Sequence, residues 1–141
     1  MNREREKQEG KCKALSVLLF DTNPTDLIRQ AEPLEARGFD VCKCMTVETA
    51  LRCVEREDFE FAVVDQGSRA FESLRVLRHL VRYNLRTRFV VVAEQEDPRC
   101  RDDAFALGAA DYLQKPLSTM KLNSILQKCF GSLAGHTRGD G

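Results

Sequence analysis

Short apolar runs alternate along the chain with longer segments whose apolar residues recur at helical spacing. Residues 15–20 (LSVLLF) end against Asp21, residues 59–64 (FEFAVV) end against Asp65, and residues 89–93 (FVVVA) form a third run too short for a helix. Runs that are apolar on both faces suit strands of a parallel sheet covered on both sides. Residues 40–45 and 111–114 read as two weaker strands. Between them, residues 25–37 follow the turn-forming Asn23-Pro24 and stop at Gly38, a natural helix end. Pro33 is expected to kink or shorten this helix. Thr46 can cap a helix to about Arg56, with Val47, Ala50, Leu51 and Val54 on one face. Residues 68–83 place Phe71, Leu74, Leu77 and Val81 at helical spacing. Asp97-Pro98 opens a helix ending near Gly108. Ser118 opens the last helix, with Leu122, Ile125, Leu126 and Cys129 turned inward. The order βαβαβαβαβα predicts an α/β fold: a doubly wound, five-stranded parallel sheet with helices on both faces.

Composition narrows the function. Lys plus Arg and Asp plus Glu both number 22, so the formal net charge is zero. That argues against a general nucleic-acid binder, whose affinity rests on excess cationic side chains. No apolar stretch is long enough to span a membrane. The start, MNREREKQEGKCK, has no apolar signal core, so the chain reads as cytoplasmic, with its thiols reduced. Residues 1–13 read as a mobile arm, 14–130 as the single domain and 131–141, with four of the eight glycines, as a disordered tail. The six cysteines form no C-x-x-C and no histidines cluster with them, which argues against zinc. Cys42 and Cys44, two apart on a strand, should face the same way. His79 and His136 show no neighbour that would make either a ligand or a base. Arg69, Arg75, Arg78, Arg82, Arg86 and Arg88 form a cationic series opposed by Glu72 alone. It reads as a solvated surface or as a docking stripe for an acidic partner.

In open parallel sheets, ligands bind beyond the carboxyl ends of the strands. Asp21, Thr22 and Asn23 follow the first strand, Asp65 the third, Ala93 ends the fourth, and Lys115-Pro116 follow the fifth. Two carboxylates and one ammonium would therefore meet along one edge. The stretches VLLFDTNPTDL, FEFAVVD and above all ALGAADYLQKP resemble the receiver domain of bacterial response regulators, the CheY-like, flavodoxin-like fold, over about residues 14–130. The resemblance implies a two-component phosphorelay. Asp65 would be the phosphoacceptor, charged by a histidine kinase or phosphotransfer protein. Asp21 and Asp65 would hold Mg2+, Lys115 would contact the phosphoryl oxygens, and Ala93 and Tyr112 would stand at the switch positions. No enzymatic activity is implied beyond the chain's own aspartyl phosphorylation and dephosphorylation. With no effector segment in the sequence, output is expected in trans, to a downstream protein or a second copy of the chain.

Two positions depart from the family pattern. Thr22 stands where the second acidic residue is usual, so the metal loses one charge and one strong oxygen ligand. A loss of only about 1.4 kcal/mol would weaken metal binding tenfold. Ala93, 22 positions before Lys115, stands where a Ser or Thr hydroxyl usually meets the phosphoryl group. Two readings stay open: a phosphorylated receiver, and a pseudo-receiver that acts as a protein-interaction module without phosphorylation. A flavin-binding or enzymatic flavodoxin-like protein is disfavoured, because Asp21-Thr22-Asn23-Pro24 offers no glycine-rich phosphate loop.

Overall fold

The computed structural model describes residues 14–131. The proposed arm 1–13 and the tail beyond Gly131, with His136, lie outside the described residues. The strands are β1 (Ser16–Phe20), β2 (Asp40–Cys44), β3 (Phe61–Asp65), β4 (Arg88–Ala93) and β5 (Asp111–Gln114). The helices are α1 (Pro24–Ala36), α2 (Val47–Arg56), α3 (Leu74–Tyr83), α4 (Pro98–Ala106) and α5 (Thr119–Phe130). All five strands are parallel in one sheet ordered β2-β1-β3-β4-β5, as the alternation predicts.

The central strands β1 and β3 are buried along their full length, whereas the edge strands β2 and β5 are only partly covered. Alternate residues feed two separate cores. Val17, Leu19, Phe61 and Val63 pack with Leu27, Ala31 and Leu34 of α1 and with Leu122, Ile125 and Leu126 of α5. Leu18, Phe20, Ala62 and Val64 pack on the other face with Val54 of α2, Leu77 and Leu80 of α3 and Ala104 of α4. Each fully buried Leu, Val or Phe contributes about 1.5–3 kcal/mol relative to exposure, so the two faces fix the order of layers and aim every strand's carboxyl end at the same rim. No helix among the described residues is long and apolar enough to cross a membrane.

Local signals set the helix starts. Asn23 accepts from the amides of Thr25 and Asp26, Thr46 from Thr49, Asp97 from Arg99 and Cys100, and Ser118 from Lys121. Each such cap is worth about 1 kcal/mol. Pro33 lies inside α1 without ending it: the helix reaches Ala36, so the expected shortening does not occur.

The helix expected over residues 68–83 starts only at Leu74. Phe71 is buried but adopts φ 58°, outside the helical region. The preceding turn is closed instead by Glu72, whose carboxylate accepts from the Ser68 amide and hydroxyl, each at 2.7 Å. Gly67 is required here: its φ is +89°, and a Cβ would lie 2.4 Å from Glu72 Oε1. Arg69 consequently belongs to this turn, 3.8 Å from Asp97, while Arg75, Arg78 and Arg82 are exposed along α3. His79 is not isolated as expected. Its Nε2 lies 2.6 Å from Glu55 of α2, and its ring rests on Tyr83 with centroids 4.6 Å apart.

Candidate functional site

The carboxyl ends of β1, β3 and β5 deliver Asp21, Asp65 and Lys115 to a cleft of about 410 Å3. Asp65 is the last residue of β3 and nearly buried; Asp21, directly after β1, is fully buried. Lys115 Nζ lies 2.8 Å from Asp21 Oδ2 and 3.0 Å from Asp65 Oδ1. The expected meeting of two acids and one ammonium is therefore present. The Lys115 backbone is held in place as well, its amide donating to the carbonyl of Ala93 at 2.9 Å.

A third carboxylate joins them. Asp26, in the first turn of α1, contacts Lys115 Nζ at 3.0 Å. Sequence reading missed it, because only residues directly after strands were considered. Asp26 stands four residues before Gln30 on α1, so one face of that helix serves the cleft. Gln30 is buried and donates to Asp21 Oδ2 at 2.9 Å, and Asp21 Oδ1 accepts from the Asn23 amide at 2.9 Å. The Asp21 amide in turn donates to the carbonyl of Cys44 at the end of β2.

Electrostatics follow from this crowding. Burial, and then the charge of Asp21, push the Asp65 carboxyl above its ordinary pKa, and the bond and charge of Lys115 oppose them. Burial alone would depress Lys115, but hydrogen bonds to Asp21, Asp65 and Asp26 outweigh it and hold the ammonium above its ordinary pKa. Three carboxylates against one ammonium leave the cluster with excess negative charge. A small hard cation prefers such oxygen donors together with water. Gln30 Oε1 is also buried without a hydrogen-bond partner among the described residues. The donor set thus fits a divalent cation held by Asp21 and Asp65. Asp26 brings a third carboxylate to the cleft, where exposed Thr22 brings none.

The other two expected positions lie close by. Ala93 is fully buried at the end of β4 and brings no hydroxyl. Tyr112 of β5 is buried with its ring inward. Its hydroxyl donates to Gln66 Oε1 and accepts from the Asp97 amide at 2.8 Å. Gln66 follows Asp65 directly, and Asp97 caps α4. The tyrosine therefore ties the loop after β3 to the start of α4. Gln66 is thus the partner of the tyrosine.

The family described as the response regulator receiver domain matches residues 17–127. The photosynthetic apparatus regulatory protein RegA of Rhodobacter capsulatus is 30% identical over 114 residues, a span of 80% of this chain but 62% of that protein. The chain thus covers less than two thirds of that relative's length. A Burkholderia pseudomallei response regulator, solved with a phosphorylated aspartic acid, calcium ion and citrate, superposes with a TM-score of 0.73 at 25% identity, covering 89% of this chain and 72% of the other. A CheY-like receiver domain from Methanospirillum hungatei gives a TM-score of 0.76 at 19% identity, covering 92% and 100%, a likeness of fold.

Proposed function

This chain belongs to the response regulator receiver domain family, and on that premise we propose that it is a switch charged at Asp65. The observation that carries the reading is the Asp21–Asp65–Lys115 contact set at 2.8–3.0 Å on one sheet rim. The donor is a phosphohistidine of a histidine kinase or phosphotransfer protein. An Asp65 oxygen bonds to phosphorus as the histidine N–P bond breaks, and the departing imidazole takes its proton from solvent. Lys115 supports this step twice. Its charge opposes the burial that raises the Asp65 pKa, and it supplies fixed positive charge for the incoming phosphoryl oxygens. Catalysis of this kind needs little beyond positioning and electrostatics.

Mg2+ would be held by Asp21 and Asp65, with the carboxylate of Asp26 nearby, and would supply charge neutralisation for the phosphoryl group. A relative of the same fold carries a phosphorylated aspartic acid with calcium ion, which supports both assignments. Once phosphorylated, Asp65 no longer offers Lys115 the same carboxylate. The change reaches the adjacent Gln66 and, through Tyr112, the N-terminus of α4. The output passes by contact to a downstream protein, and the domain spans about residues 14–130.

The test is incubation of the full chain with acetyl phosphate and Mg2+, followed by intact mass measurement. A single phosphoryl adduct is expected, lost in Asp65→Asn and reduced in Lys115→Met. No adduct in the wild type, or the same adduct in Asp65→Asn, overturns the reading. The second reading, a phosphorylation-independent interaction module, is favoured by the missing hydroxyl at Ala93. It requires partner binding that is equal in wild type and Asp65→Asn.

A further inference from the structure

Cys42 and Cys44 lie on the same face of β2, and Cys53 of α2 is packed against them. The Cys53 sulfur is 3.4 Å from that of Cys42 and 3.7 Å from that of Cys44, and all three Sγ atoms lie within 4.8 Å of one another. The sequence spacing argued against zinc because no two cysteines follow a C-x-x-C pattern. The third thiol arrives from a helix, which spacing does not reveal. We propose that Cys42, Cys44 and Cys53 form a three-thiolate site for a thiophilic d10 cation, Zn2+ or Cu+.

Geometry comes first. A Zn–S bond of about 2.3 Å implies sulfur–sulfur edges of about 3.8 Å in a tetrahedron, within the observed range. Rigid elements place the three sulfurs. β2 is zipped to β1 in the register Leu18–Cys42 and Phe20–Cys44, and α2 is fixed by its Thr46 cap. The cations follow from the donors: three sulfurs without imidazole are soft and select Zn2+ or Cu+ over hard ions such as Mg2+. Cys44 is buried while Cys42 and Cys53 are half-buried, so the site has a closed floor and an open side. Zn2+ would take a solvent molecule there as its fourth ligand, and Cu+ is satisfied by three. Each coordinating thiol releases its proton to solvent. The site shares no ligand with the acidic cleft and stands independently of the function proposed above.

The experiment uses the reduced, metal-free full chain in excess Mg2+, in the wild type and in Asp65→Asn. Titration with Co2+, a spectroscopic stand-in for Zn2+, is expected to give sulfur-to-metal charge-transfer absorption saturating at one equivalent in both proteins, abolished by added Zn2+. A parallel titration against a Cu+ chelator measures copper. Cys42→Ser and Cys53→Ser are expected to weaken binding at least tenfold, and Cys129→Ser to leave it unchanged. Should a serine variant fail to fold, alkylation of the wild type decides. Bound metal must protect the half-buried Cys42 and Cys53 from alkylation. Absence of both the charge-transfer band and chelator-resistant Cu+, an undiminished band in Cys53→Ser, or loss of two thiols to a disulfide in place of metal uptake would each overturn the proposal.

Discussion

Replacing Lys115 with methionine keeps most of the side-chain volume and removes one charge from the centre of three carboxylates. Two of the three partners, Asp21 and Asp65, are nearly or wholly buried, and Asp26 is only partly covered. At 3 Å and an effective dielectric near 20, each contact carries about 5–6 kcal/mol of attraction. Most of this is cancelled by the cost of taking the ammonium out of water. What the variant feels is the stranding of buried carboxylates, about 3–5 kcal/mol, or a fall in melting temperature on the order of 10–20 °C for a domain of this size. The pH dependence separates this account from simple loss of packing. Asp65 has a raised native pKa, so on acidification it takes up a proton and needs no counter-charge; the deficit of Lys115→Met should shrink near pH 4. The native pKa of Lys115 is raised as well. Its contribution is therefore complete below the ordinary lysine pKa and is lost as pH climbs through the native value, an alkaline decline that the variant should lack. Urea unfolding near pH 4 and 7 reads the acid side, and near pH 11 it reads the onset of the alkaline decline. A deficit below about 1 kcal/mol at neutral pH, or one equal at pH 4 and 7, would refute the reasoning.

Asp65→Asn should melt above the wild type at neutral pH. The wild type loses the contribution of Asp65 as pH rises through its raised native pKa and the variant does not, so the gain should vanish below the ordinary carboxyl pKa, in thermal scans across that range. Thr22→Asp should tighten Mg2+ at least tenfold, equivalent to about 1.4 kcal/mol, by calorimetry; an unchanged affinity would mean that Asp26 already satisfies the ion. Tyr112→Phe strands Gln66 Oε1 and the Asp97 amide and should cost about 1–3 kcal/mol, checked by denaturant unfolding. Gly67→Ala forces a left-handed residue into contact with Glu72 and should lower the melting temperature by several degrees, at roughly 1–3 kcal/mol of strain.

The layer order and the strand ends were readable because Val, Leu and Phe runs alternate with helical periodicity, and because ALGAADYLQKP couples a tyrosine to a lysine at fixed distance. Three features were not readable, each for a physical reason. Phe71 shares the helical spacing of Leu74 and Leu77, but periodicity reports which side chains are buried, and a positive φ buries Phe71 just as well. Asp26 faces the cleft from the side of a helix, where nothing distinguishes it from a solvated first-turn acid. The approach of Cys53 to Cys42 and Cys44 depends on how α2 lies across β2, a tertiary distance that linear spacing does not encode.

The tie between the Asp21 amide and the Cys44 carbonyl makes the most deeply placed acid of the cleft depend on the outermost strand. That strand has a single neighbour, β1. Its last residue, Cys44, is packed into the core, so the main chain beneath Asp21 is anchored from the buried end of that strand. Whatever fastens the border strand therefore also steadies the backbone from which that acid projects.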